Sequence, residues 1–262
     1  MTRQDWQGRL RTAVYPLYKS MPSGLKTAAR AAYAQFAGPL LSKRAHWVRY
    51  EYSRFAKQRR REIFLDIAFF AHVNRPIEGY YFEFGSFEAN TMRLAYDCFH
   101  HLFDWHYVAF DSFEGLPEIG EIDKQVIWEK GKLKMTEQDF LRVCSRHGIP
   151  RDRLTTVKGF YDVSLTQELK QRLLPRKAAV VYIDCDLYLS TVPVLRFIED
   201  FLQPGTVIVF DDWNCFLADP NRGERRAWRE FRARSPQLQF EPFVSKGMQA
   251  SFIFTGRATD QG

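Results

Sequence analysis

A chain of 262 residues with 45% hydrophobic and 16% aromatic content carries enough apolar surface for one large core, which excludes an intrinsically disordered chain. No apolar run approaches the roughly 20 residues of a membrane-spanning helix, and the opening segment has no apolar signal core, so a soluble, cytoplasmic protein is expected. The net charge of +7 is unevenly placed: residues 1–61 hold fourteen Lys/Arg against two Asp/Glu, a balance of +12, which leaves −5 for the remainder.

The first 75 residues read as a basic helical region. Apolar positions recur every three or four residues, with breaks at "MPSG" (21–24) and "GPLL" (38–41). A long helix is expected over "AHWVRYEYSRFAKQRRREIFLDIAFFAHV", with "KQRRRE" as its solvated part and Phe64, Phe69 and Phe70 as core positions. Such a basic arm reads as a solvated face over an acidic body. Contact with nucleic acid, anionic lipid or an acidic substrate is the competing reading.

From residue 79 the pattern changes to strands alternating with helices. Strands are expected at "YYFEFG" (80–85), "HYVAFDS" (106–112), "LTTVKGF" (154–160), "AAVVYIDCD" (178–186) and "GTVIVFDDW" (205–213). Helices are expected at "ANTMRLAYDCFHH", "EQDFLRVCSRHG", "LSTVPVLRFIEDFL" and "RGERRAWREFRAR". "LQFEPFVSK" and "MQASFIFTGR" then follow closely enough to pair antiparallel. This order predicts an α/β fold: a seven-stranded, mostly parallel sheet with an antiparallel terminal strand, spanning 76–262 and covered by helices on both faces. The segment 115–135 is long for a β-α connection and reads as a lid over the strand ends. Cys98, Cys144, Cys185 and Cys215 show no metal-ligand spacing and read as reduced thiols. The adjacent His100 and His101 diverge on a helix and read as a helix end, not a chelate.

In a parallel sheet, ligands bind outside the carboxyl ends of the strands. Glu83, Asp111, Asp184, Asp186, Asp211 and Asp212 all fall at or near such ends and are expected on one rim. Gly85 follows the first strand, where a missing side chain lets a ligand approach the backbone and the next N–H groups receive its polar atoms. There is no GxGxxG, which counts against a dinucleotide. Asp111, ending the second strand, suits both hydroxyls of a ribose; adenosine without a diphosphate points to S-adenosylmethionine. Asp184 ends one strand, and Asp211 with Asp212 follows 27 and 28 positions later at the end of the next. Adjacent strands would present these oxygens to one hard divalent cation. Asp212 also reads as a helix N-cap or turn residue, and Asp186 as the cap of the helix that begins near Tyr188.

"FDSFEGLP" (110–117), "IDCDLYLST" (183–191), "FDDW" (210–213) and "GERRAWREF" (223–231) occur in the order in which the macrocin O-methyltransferase family carries them, and residues 79–256 resemble that family. The resemblance implies a Rossmann-like class I methyltransferase that uses S-adenosylmethionine and Mg²⁺ to methylate a hydroxyl of a sugar or glycosylated natural product. It implies metal ligation by Asp184, Asp211 and Asp212. It places Asp111 and Ser112 at the ribose, Glu83, Gly85 and Ser86 at the methionine end, and Gly159 and Phe160 beside the adenine. The first turn, Ser86-Phe87-Glu88-Ala89-Asn90, is poorer in glycine than is usual for the family. Asp184 is the expected proton acceptor. A catechol-like acceptor is the alternative within the same chemistry, and a nucleic-acid-binding protein with a basic arm the alternative outside it. No nucleic-acid partner is expected; peripheral membrane contact through the arm and a homo-oligomer are both compatible with the sequence.

Overall fold

A computed structural model describes residues 51–74, 77–125 and 127–258, with the isolated positions 25 and 28. The breaks expected at 21–24 and 38–41 lie outside the described residues. The chain divides into two compact units, Met1–Lys57 and Gln58–Gly262. The sheet, its helices and the candidate site all belong to the second.

Strands β1 (Tyr80–Phe84), β2 (His106–Asp111), β3 (Leu154–Lys158), β4 (Ala178–Ile183), β5 (Val207–Phe210), β6 (Leu238–Lys246) and β7 (Gln249–Arg257) form one seven-stranded sheet in the order β3-β2-β1-β4-β5-β7-β6. β3, β2, β1, β4 and β5 are parallel, and β7 joins β5 and β6 antiparallel. The five parallel strands are nearly all-apolar runs, as burial on both faces requires. Their alternation sorts them into two cores. Tyr81, Tyr107, Ala109, Val180, Tyr182 and Val209 face helices α1 (Ser53–Val73), α2 (Asn90–Phe99) and α3 (Glu137–His147). Phe82, Phe84, Val108, Phe110, Val181, Ile183 and Phe210 face α5 (Gln167–Leu173), α6 (Tyr188–Ile198) and α7 (Gly223–Arg234), α4 being the short turn Tyr161–Ser164. Each fully buried side chain of this kind contributes roughly 1.5–3 kcal/mol.

The sheet reverses direction at β1, whose neighbours β2 and β4 lead to opposite halves, and this is where an open α/β sheet leaves a crevice. Hydrogen bonds just beyond the strands hold the tips in register: Gly85 N–H to Phe110 O, Asp184 N–H to Phe84 O, Asp211 N–H to Ile183 O and Gly159 N–H to Asp111 O, all 2.8–2.9 Å.

Three expectations need correction. The helical segment before β1 belongs in part to the sheet domain: Ile63, Phe64, Ile67 and Ala71 of α1 are buried in the first core, so this unit starts at Gln58 and not near 76. "KQRRRE" is not uniformly wet, because Arg60 turns inward. Phe69 is 70% exposed, since it lies on the far face of α1 from Phe64. The helix α5 was not anticipated; its Thr166 N-cap, which accepts the N–H of Leu169, sits in a mixed-charge stretch of low apolar content. His100 ends α2 and stacks on Tyr96, and the four thiols are free.

Candidate active site

At the end of β1 the backbone turns through Gly85 at φ +89°. A Cβ there would stand 1.9 Å from the carbonyl oxygen of Asp184, so the absent side chain is what allows β1 and β4 to bring their tips together. One residue earlier, Glu83 is fully buried. Its Oε2 accepts from Tyr81 Oη at 2.8 Å, whereas Oε1 has no partner. Burial pushes this carboxyl up to about 8. Ser86 Oγ, also buried, is likewise without a partner among the described residues. Two orphan polar atoms therefore stand where the cofactor's methionine end was expected.

Asp111, at the tip of β2, is anchored by two backbone donors: Ser86 N–H to Oδ2 at 2.7 Å and Phe113 N–H to Oδ1 at 2.6 Å. Each oxygen keeps acceptor capacity for a further donor, and burial raises the group above its ordinary value despite these bonds. Ser112 is spent locally, its Oγ donating to Gly115 O at 2.8 Å and accepting from Glu114 N–H at 3.1 Å. Gly159 (φ +135°) and the partly exposed Phe160 sit at the tip of β3, next to β2. All seven expected cofactor positions thus lie at the ends of three neighbouring strands.

The acidic cluster divides into two parts. Asp211, 5% exposed, accepts from Arg60 through Nε at 2.9 Å and through Nη2, from Tyr182 Oη, and from Gln249 Nε2 at 2.9 Å. Burial would raise its pKa, but the Arg60 charge and these donors hold it below the ordinary carboxylate range. Arg60, itself raised by Tyr182 and Asp211 against the opposing effect of burial, also lies 3.8 Å from Asp184. Asp184, Asp186 and Asp212 form the second part: one oxygen from each lies within 4.8 Å of the other two. Burial, followed by the neighbouring carboxylates, raises all three, Asp186 to about 7. Asp212 Oδ2 is buried without a partner. Its backbone N–H goes to Glu224 Oε2 at 3.0 Å, and Glu224 is a further buried acid with an orphan oxygen.

Clustered like charges at this spacing call for a cation, and an all-oxygen donor set with a free lone pair fits a hard divalent ion. Of the expected triad, Asp184 and Asp212 converge with Asp186, whereas Asp211 is already neutralised by Arg60. The expected capping role of Asp186 is overturned. Helix α6 is capped from outside, by Asp123, whose Oδ1 and Oδ2 accept the N–H groups of Tyr188 (2.7 Å) and Leu189 (3.1 Å). Asp186 instead holds a left-handed backbone (φ +60°) and accepts Trp128 Nε1–H on Oδ1 at 3.0 Å. Sequence reasoning missed Arg60, Asp123, Trp128 and Glu224. The DxD spacing of Asp184 and Asp186 and the acidic pair that holds Asp212 at the end of the next strand were the usable signals for this cluster.

A family profile for macrocin O-methyltransferase (TylF) matches residues 43–240. A Streptomyces olivaceus protein described as 8-demethyl-8-(2,3-dimethoxy-α-L-rhamnosyl)-tetracenomycin-C 4′-O-methyltransferase is 29% identical over 109 residues; the match spans 39% of this chain and 40% of that relative's length. Among solved structures, the O-methyltransferase NovP aligns over 75% of this chain and 79% of its own (TM-score 0.60, 20% identity). The calicheamicin methyltransferase CalS11 aligns over 97% and 93% (TM-score 0.57, 19% identity). These two likenesses establish the class I methyltransferase fold. The profile runs from ahead of α1 into β6 and so takes in every strand tip that carries the acidic rim, which makes the chain a member of the macrocin O-methyltransferase family.

Proposed function

We propose that the protein is an S-adenosylmethionine-dependent O-methyltransferase whose acceptor is a hydroxyl of a sugar or glycosylated natural product, assisted by Mg²⁺. The observation that carries this reading is the placement of the anchored Asp111 and the converging Asp184, Asp186 and Asp212 on neighbouring strand tips of one rim. When bound, S-adenosylmethionine supplies a methyl group already activated by its sulfonium, and Mg²⁺ supplies Lewis acidity toward the acceptor hydroxyl.

The side chains then have separable tasks. Asp111 receives the ribose hydroxyls, and Glu83 with Ser86 offers its orphan oxygens to the methionine ammonium. Asp184 and Asp212 hold the ion from adjacent strands, which matches the preference of Mg²⁺ for one or two carboxylates alongside water and substrate oxygens. Asp186 takes the acceptor proton on its carboxylate. Held by Trp128 and left off the ion, Asp186 is the carboxylate of the cluster free to act as the base, whereas Asp184, the expected acceptor, is drawn to the ion. Asp211 stays paired with Arg60. Because the donor is already activated, most of the acceleration comes from aligning hydroxyl oxygen, methyl carbon and sulfur.

The Streptomyces olivaceus relative named above is described as a methyltransferase of a rhamnosylated tetracenomycin, which favours a sugar hydroxyl over a catechol. The test is a screen of deoxysugar glycosides and catechols with isotopically labelled S-adenosylmethionine and Mg²⁺, read by mass spectrometry for the gain of one methyl group. Transfer confined to catechols would replace the sugar reading, and no transfer to any hydroxyl would remove it.

A further inference from the structure

The connection between β2 and α3 does more than cover the rim. Two contacts fasten it to the turn that carries Asp186, and a third ties it to the foot of α7. Asp123 caps α6 two residues beyond Asp186. Arg222, at the foot of α7, donates to the carbonyls of Ile122 and Lys124 at 2.9–3.3 Å and lies 4.4 Å above the Phe216 ring. Trp128, 8% exposed, packs against Phe216 at 4.8 Å between ring centroids, with Leu187 in the same apolar cluster, and aims its indole N–H at Asp186 Oδ1.

Asp186 is a residue whose position has to be enforced. Its left-handed backbone is unfavourable for a non-glycine residue, and a carboxylate among carboxylates is repelled from the place it occupies. The support under Trp128 is equally built. Phe216, Leu217 and Ala218 all adopt positive φ (56°, 60° and 58°), an arrangement that costs free energy at each residue. Gly223 makes room for the Phe216 ring, which a Cβ would meet at 2.7 Å. A strained turn and an obligatory glycine thus hold one aromatic ring, and that ring backs the donor to Asp186.

We infer that Trp128 is a positioning residue: its indole N–H fixes the Asp186 carboxylate within the cluster, so the β2–α3 connection completes a site that the strand tips alone leave unfinished. This rests on the reading of Asp184, Asp186 and Asp212 as the reactive cluster. Asp186 and Asp212 each place an oxygen within 4.8 Å of the other, so a misplaced Asp186 alters the surroundings of the residue proposed to hold the ion.

The tie is tested in the full-length protein without substrate. In ¹⁵N-tryptophan-labelled protein, the Trp128 indole resonance, assigned by its loss in Trp128→Phe, should be shifted downfield and protected from exchange. In Asp186→Gly, which keeps the left-handed backbone and removes only the carboxylate, that resonance should move to the position of a free indole and exchange faster. Mn²⁺ affinity, read by electron paramagnetic resonance of the free ion, should fall roughly 10-fold in Trp128→Phe, the effect typical of losing an outer-shell partner. Replacing Trp128 with benzothienylalanine, which keeps the ring shape and lacks the N–H, should reproduce that fall even if the phenylalanine variant folds poorly. S-adenosylhomocysteine affinity should not change. An indole signal unaffected by Asp186→Gly overturns the inference, and so does wild-type Mn²⁺ affinity in both Trp128 variants. Wild-type protein that binds no Mn²⁺ defeats the ion reading instead, and the indole signal then decides the inference by itself.

Discussion

Replacing Arg60 with methionine should expose how the acidic rim is kept folded. Asp211 is almost fully buried, and its carboxylate is met by the Arg60 guanidinium, the Tyr182 hydroxyl and the Gln249 amide. Removing one partner of a buried ion pair costs about 3–5 kcal/mol, because the other charge is left uncompensated. The Arg60 side chain is 24% exposed, so solvent screens part of this and about 2–3 kcal/mol is expected at pH 7–8. The pH dependence carries the mechanism. Arg60 depresses Asp211, so the pair's contribution is present above the ordinary carboxylate range and is lost as pH falls through the folded value. In Arg60→Met only burial, two neutral donors and repulsion from Asp184 remain, Asp211 rises, and the variant is penalised most where the carboxylate must ionise. The stability gap between wild type and variant should therefore narrow steadily from pH 8 toward pH 4 in urea titrations. Arg60→Met/Asp211→Asn should recover most of the loss. A coupling below about 0.5 kcal/mol in that double-mutant cycle, or a gap that stays constant with pH, refutes the reasoning.

Asp111→Ala should weaken S-adenosylmethionine binding by roughly 1.5–3 kcal/mol and, because it orphans the Ser86 and Phe113 N–H groups, also lower the unfolding temperature; calorimetry on the folded variant showing wild-type affinity removes Asp111 from the site. Glu83 holds a proton when folded up to about pH 8, which the unfolded chain releases near 4.5, so its contribution to stability declines as pH rises through that window. Glu83→Gln should cancel that decline, becoming the more stable form by an amount on the order of 5 kcal/mol at full ionisation; parallel pH profiles for the two proteins would contradict this. Asp212→Asn should lower Mn²⁺ affinity at least about 10-fold and make turnover demand more Mg²⁺, and full turnover in EDTA with metal-free protein by elemental analysis would rule out an ion at the cluster.

The strands were legible because burial on both faces writes an unbroken apolar run, and "AAVVYIDCD" and "GTVIVFDDW" end where the acids begin. The β5 strand is shorter than that pattern suggested, Val207–Phe210, with Gly205 in the entry turn and the Asp211 side chain, just past the strand, paired with Arg60. The rim itself followed from strand polarity alone. What each carboxylate faces did not. Asp186 reads as a cap since it precedes a helix, yet the capping acid comes from Asp123, some 65 residues earlier, and no local pattern distinguishes the two.

Arg60 shows why such partners escape a linear reading. It stands fourth in "KQRRRE", flanked by Arg59 and Arg61, both exposed, and nothing in composition separates it from them. The distinction is rotational: one helical position points at the sheet while its neighbours point outward. Ile63, Phe64 and Ile67 set that rotation by burying the same face, so the apolar spacing of α1 decides which of three consecutive arginines reaches a carboxylate 151 positions away. The basic charge of the arm and the acidic charge of the rim are therefore partly one feature. Charge reversal at all three arginines would confuse a surface effect with the loss of this buried pair, whereas reversal at Arg59 and Arg61 alone isolates the surface. If that double reversal leaves stability intact and lowers binding to anionic vesicles, the exposed arginines serve an external partner. If vesicle binding stays constant, Arg60 is the one arginine of the three with a defined task, and that task is internal.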